Sequence, residues 1–116
     1  MTGELSPPAV FATLDDEYAR EILVATKTER LSAKELSEEC DMSRPTVSRR
    51  VNTLVEHGFL EEHTHVDPGG RHYREYEARL ERVEVVLHDE GFDLQVDIQP
   101  DPADRITSLF ENMRGD

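Results

Sequence analysis

Residues 43 to 55 hold three arginines, Arg44, Arg49 and Arg50, and no acid, within a chain whose formal charge at pH 7 is −13. A guanidinium is a planar fork of donors that matches paired acceptors, such as phosphate oxygens or the edge of a guanine. Asn52 presents the donor and acceptor pair that matches adenine. Ser43, Thr46 and Ser48 can donate hydroxyls to phosphates from the same stretch. Further along, Arg71, His72 and Arg74 flank the pair Gly69-Gly70. These spacings offer reversible recognition of a polyanion rather than the making and breaking of bonds.

Reaction chemistry finds no comparable arrangement. Ser6 has no spacing to any histidine that makes a nucleophilic triad, no glycine-rich phosphate loop occurs, and the acids are spread without a recognisable pair, so an enzyme is not expected. Four of the five histidines, His57, His63, His65 and His72, lie on or beside the stretch 57–72, and His63 and His65 share a strand face. No cysteine pair and no helical His-x3-His accompanies them, so no metal ligands are assigned. Cys40 is the single cysteine, which rules out an internal disulfide. Its phase points it inward, where a thiol is usually inert.

These side chains need helices and a hairpin to hold them. Residues 1–12 carry Gly3, Pro7 and Pro8 with little period and read as an N-terminal arm. From Leu14 a helical stripe follows, Leu14, Tyr18, Ile22 and Ala25, with Asp15, Asp16 and Glu17 in the first turn. Ser32 and Glu35 form a capping box that opens a second helix, with Ala33, Leu36 and Cys40 on one side. Ser43 caps a third, in which Pro45 sits in the first turn, Val47, Val51 and Leu54 form the inner stripe, and Gly58 ends the run. That phase leaves Arg44, Ser48, Arg49 and Asn52 outward, while Arg50 packs its stem and reaches a phosphate or an acid. Phe59–Val66, the turn Asp67-Pro68-Gly69-Gly70, and Arg71–Ala78 spell a β-hairpin. A second alternating pair, Val83, Val85, Leu87 then Phe92, Leu94, Val96, Ile98, surrounds a turn at Asp89–Gly91. Asp101 and Pro102 open a last helix with Ile106, Leu109, Phe110 and Met113 on one stripe.

At 116 residues the chain fits one hydrophobic core. Thirteen Lys plus Arg stand against twenty-six Asp plus Glu, and Lys27 and Lys34 are the only lysines. Such an acid-rich, lysine-poor surface resembles that of cytoplasmic proteins of salt-accumulating archaea, which points to a halophilic, archaeal, cytoplasmic protein with bound salt ions such as K+ or Cl−. Across residues 43 to 74, however, five arginines face only four acids. Charge is therefore segregated, and one side is nearly neutral to basic. No basic leader and no long apolar run is present, so no membrane association is expected.

Two helices joined by a short turn, followed by a hairpin with a glycine-rich tip, make a helix-turn-helix with a wing. The stretch 31–63, LSAKELSEECDMSRPTVSRRVNTLVEHGFLEEH, resembles the DNA-binding core of the ArsR and MarR groups of winged-helix regulators. The second hairpin and the ending DPADRITSLFENM resemble those of small haloarchaeal winged-helix regulators, a group that includes a reactive-oxygen-species regulator and so implies a stress response. The expected fold class is α+β: an arm at 1–12, a winged core at 13–78, and a hairpin with a C-terminal helix at 79–116.

The expected function is sequence-specific binding of double-stranded DNA as a homodimer that regulates transcription. DNA contact falls to Ser43, Arg44, Thr46, Ser48, Arg49, Arg50 and Asn52, and the resemblance implies backbone or minor-groove contact for Arg71, His72 and Arg74. The last helix, through Ile106, Leu109, Phe110 and Met113, and the apolar face of Val83 to Ile98 are expected to cover one another and to pair two copies. The alternative is a winged-helix module of the transcription machinery that docks on protein without reading DNA, which the net charge favours.

Overall fold

Two prolines that read as breakers in the sequence turn out to start a helix. The structure, a computed structural model, describes residues 6–99. Within it α1 spans Pro7–Asp15, with Ser6 as N-cap accepting from the Ala9 N–H and prolines at the first positions. Proline is tolerated there because the first-turn N–H groups have no intrahelical acceptor. Val10 and Thr13 are buried, so the expected arm is corrected from Pro7 onward: it is a helix docked on the core.

The stripe expected from Leu14 through Ala25 is also revised. Asp16 adopts an extended conformation, and its carboxylate caps the Tyr18 N–H at 3.0 Å, opening α2, Glu17–Thr28. The break resets the helical phase, so the inward side of α2 is Ala19, Ile22 and Thr26, while Tyr18 is exposed. Buried Thr26 satisfies its hydroxyl on the Ile22 carbonyl at 2.7 Å.

A two-residue strand that the sequence did not announce follows, β1 (Leu31–Ser32), then α3 (Ala33–Glu39) with the expected capping box between Ser32 and Glu35. The turn at Cys40–Ser43 leads into α4, Arg44–Glu56. Val47, Val51 and Leu54 are buried along its inner side, each contributing about 1.5–3 kcal/mol. At its end Gly58 takes φ +79°, with Gly58 N–H to Val55 O and Phe59 N–H to Leu54 O, both 2.9 Å. This is the Schellman arrangement, for which a residue without Cβ is suited.

β2 (Leu60–Val66) and β3 (His72–Ala78) pair antiparallel from Leu60↔Ala78 to Val66↔His72, and β1 joins the outer edge of β3 through Leu31↔Tyr76. The sheet order β1-β3-β2, with α3 and α4 between β1 and the β2–β3 hairpin, is a winged helix-turn-helix, so the α+β class holds. Phe59, Leu36, Ile22 and Leu54 are fully buried where the helices meet this sheet.

A separate two-stranded sheet, β4 (Leu80–His88) and β5 (Gly91–Ile98), supplies the added hairpin. Its base is fastened to the core: Arg79 N–H bonds Phe59 O at 2.8 Å, Gln99 N–H bonds Arg79 O at 2.7 Å, and the Arg79 guanidinium reaches both Gln99 O and Glu61. The expected C-terminal helix, with Ile106, Leu109, Phe110 and Met113, lies outside the described residues.

Candidate nucleic-acid interface

The N-terminal end of α4 is built so that its polar side chains face away from the core. Ser43 accepts the Thr46 N–H at 3.2 Å as N-cap, and its hydroxyl also meets the Thr46 hydroxyl at 2.9 Å. Both hydroxyls therefore shape the helix start before they can serve any ligand. With Val47 and Val51 turned inward, Arg44, Ser48, Arg49 and Asn52 stand exposed along the outer side, as their spacing predicts. The Arg49 guanidinium lies 3.5 Å from the Thr46 hydroxyl and forms no ion pair with a described residue.

Arg50 does not join them. It is drawn to the opposite flank, paired with Asp16 and lying 5.7 Å over the ring of Tyr18. Asp16 is at once the cap of α2 and the counter-ion of α4, which holds Arg50 away from the outward row. Of the two partners expected for it, a phosphate or an acid, the described structure places it on the acid. Close by, the Thr13 hydroxyl and His57 Nε2 lie 2.9 Å apart, a second polar link from α1 to the end of α4.

The wing supplies the other wall. Asp67 organises its tip by accepting the Arg71 N–H at 2.9 Å on its carboxylate and the Gly70 N–H at 2.9 Å on its carbonyl, while Gly70 takes φ +86°. The carboxylate that would repel a polyanion is thereby engaged in the turn. Side chains alternate along the strands: Thr64, His72, Arg74 and buried Tyr76 share the side that faces the helices, whereas Glu61, His63, His65, Glu75 and Glu77 share the outer side.

Between the wing and the starts of α3 and α4 runs an open groove. Five of its lining residues, Lys34, Arg44, Arg71, His72 and Arg74, are basic, against Asp67 alone as acid. In a chain of charge −13 this concentration is a local inversion of sign. The groove joins Arg44 of α4 to the wing residues, while Ser48, Arg49 and Asn52 continue the row along that helix. Arg74 is 66% exposed and shares its charge with Glu62 at 3.3 Å. Tyr76 lines the groove floor, its phenol pushed above its ordinary pKa by burial first and by Glu62 second, so it stays a neutral group there.

Lys34 was missed by the sequence reading. It sits exposed in the first turn of α3, and its signal was its rarity, one of two lysines in the chain. Only the folding of the wing over α3 brings it to Arg44 and Arg71.

The outer side of the wing uses its histidines differently. His63 Nε2 lies 2.9 Å from Glu77 and 3.7 Å from Glu61, and these three donors fall within 4.8 Å of one another. Both carboxylates also have arginine partners, Glu61 in Arg79 and Glu77 in Arg30. His65 likewise pairs Glu75 at 2.9 Å and stacks on Tyr73. Cys40 is half-buried at the end of α3, with its pKa raised by burial and then by Glu21 and Glu39, which disfavours the reactive thiolate.

Comparison with known families places this geometry. The model of the IclR helix-turn-helix domain matches residues 22–64, which run from α2 through both helices of the motif into the first wing strand. The chain thus carries a helix-turn-helix DNA-binding domain of the kind found in transcription regulators, a domain type that is typically non-enzymatic. No curated protein matches the chain. Among the described residues, no helix is long and apolar enough to cross a membrane.

Proposed function

We propose that the protein is a sequence-specific regulator of transcription that binds double-stranded DNA as a homodimer, with α4 in the major groove and the wing on the backbone or minor groove. The observation that carries this reading is the basic groove of Lys34, Arg44, Arg71, His72 and Arg74 beside α4, which carries no acid before Glu56, on a chain that is otherwise strongly acidic. In such a site Arg49 and Asn52 read base edges, and Arg44, Ser48 and the wing arginines fix the register on phosphates. Lys34 adds a phosphate contact, and Arg50, paired with Asp16, braces α4 against α1 instead.

Two copies paired through Ile106, Leu109, Phe110 and Met113 and the added hairpin would set two recognition helices about 34–36 Å apart, matching a pseudo-palindromic operator. The proposal includes the ArsR or MarR affinity of the core, a haloarchaeal setting in the cytoplasm, a role in stress response, and bound K+ or Cl−. In concentrated salt, counterion release adds little affinity. Cations that bridge surface acids to phosphates would let binding tolerate salt.

Retention of genomic and random-sequence DNA fragments in molar KCl, by wild type and by Arg49→Ala, tests the reading. Selective retention by wild type, weakened about tenfold or more in Arg49→Ala, is the expected result. Absence of binding by both at every KCl concentration would transfer the surface to a protein partner, the reading that the charge of −13 favours.

A further inference from the structure

In the second hairpin Val83↔Val96, Val85↔Leu94 and Leu87↔Phe92 are directly paired, so one face is continuously apolar, whereas Glu84↔Gln95 and His88 opposite Gly91 lie on the reverse. The base half of the apolar face packs on the core through Val83, Leu94 and Val96. The tip half does not: Leu87 is 71% exposed, Phe92 54% and Val85 46%. Phe11 of α1 meets Phe92 edge-on at 6.2 Å and extends the same surface while itself exposed. A two-stranded sheet with a bare apolar face is marginal in water, and a patch of this kind calls for a cover.

We propose that the tip half of this face, Val85, Leu87 and Phe92 with Phe11, is the seat of the same chain's C-terminal stripe, Ile106, Leu109, Phe110 and Met113. The point at which the described chain ends carries the argument. Gln99 is pinned at the hairpin base by its two bonds to Arg79, and only Pro100 and Asp101 separate it from the amphipathic stretch that begins at Pro102. The three steps from Gln99 to Pro102 reach about 10 Å at most, which keeps that stretch beside the hairpin from which it emerges.

Lengths agree as well. A helix over 102–113 is about 17 Å long and the way from Ile98 back to Phe92 about 20 Å, so a stretch that leaves the hairpin base beside the core-packed half has the reach to bring its far end onto the free tip half. Because β5 runs from tip to base, a stretch folding back over it runs from base to tip and brings Met113 to Leu87 and Phe92. The inference goes beyond the pairing role proposed above by assigning these four side chains first to their own hairpin; two copies would then meet through the layer that both elements form.

The test is disulfide trapping in the full-length chain with Cys40→Ala, combining Leu87→Cys with Met113→Cys. Mild oxidation is expected to give a monomer-sized product lighter by two hydrogens, in severalfold higher yield than Leu87→Cys with Ile106→Cys. An interchain product would place the stripe on a partner's hairpin and overturn the proposal, as would equal yields for both pairs. Hydrogen exchange of Phe110→Asp supplies an independent readout without engineered cysteines: protection of β4 and β5 amides is expected to fall tenfold or more while β2 and β3 keep theirs. Unchanged protection of β4 and β5 would overturn the seat. Neither measurement involves DNA, so neither outcome depends on the DNA-binding reading.

Discussion

The protein has two antiparallel hairpins of similar size that live by opposite rules. The wing, β2–β3, is charged along most of its length, yet its base is held because Leu60, Tyr76 and Ala78 are buried against the helices and β1 pairs its edge. The second hairpin, β4–β5, is much more apolar, yet Val85, Leu87 and Phe92 stand exposed and its strands form a sheet of two. Hydrophobic content therefore does not decide which hairpin is better anchored. What decides is whether the apolar residues fall at the root, next to an existing core, or toward a tip that has yet to be covered. The wing's arrangement leaves its outer half polar and available for a ligand, and that of β4–β5 makes its outer half a surface seeking a partner.

The largest effect that tests this contrast is on stability. Leu60→Ala should cost about 2–5 kcal/mol in denaturant unfolding, since Leu60 is 3% exposed at the wing root. The same truncation at Leu87 should cost less than half as much if that side chain stays in water. A comparable loss at Leu87 would show that the face is covered in the folded chain, which is what the C-terminal seat requires.

Next comes the ligand. Arg71→Ala should weaken DNA binding uniformly across sequences and reduce the slope of log affinity against log salt by about one. Arg82→Ala, on the second hairpin and paired with Glu84 at 3.2 Å, should leave both unchanged. Equal effects would remove the functional distinction between the hairpins.

A smaller change is expected at the joint between α1 and α4. Arg50→Ala breaks the contact with Asp16 and Tyr18, and should lower stability by about 1 kcal/mol while the salt slope stays that of wild type. A reduced slope would return Arg50 to the phosphate contacts that its sequence position suggests.

The smallest effect is on pH dependence at the wing root. Burial raises the Tyr76 pKa above its unfolded value of 10.0, so the folded chain holds the phenol proton more tightly. Its contribution to stability is complete below pH 10.0 and is lost as the pH rises through the folded pKa, by at most about 1.4 kcal/mol per pH unit. Alkaline unfolding of Tyr76→Phe should lack that part of the slope, whereas substitution of any titratable group on β4–β5 should leave it in place.

Local physical chemistry made much of this molecule legible in the sequence. The capping box at Ser32 and Glu35, the Ser43 cap, the Val47–Val51–Leu54 stripe, the Gly58 terminus and the Asp67–Gly70 turn involve residues within a few positions of one another. Short-range hydrogen bonding and helical phase therefore determine them without reference to the rest of the chain. The outward row Arg44, Ser48, Arg49 and Asn52 follows from the same phase.

What only the tertiary structure decided depends on partners distant in sequence. Pro7 and Pro8 read as breakers because a helix needs nothing from them until Val10 and Thr13 find a core to enter. The stripe of Leu14, Tyr18, Ile22 and Ala25 is split because Asp16 caps a new helix and at the same time answers Arg50, 34 positions on: Leu14, Ile22 and Ala25 still meet the core, and Tyr18 is turned outward. Lys34 reached the basic groove only because β3 folds beside β1 and carries Arg71 and Arg74 across the start of α3. Long-range charge pairing and strand order leave no periodic trace in a sequence, and in this protein they separate the arginine that braces the fold from those that face the groove.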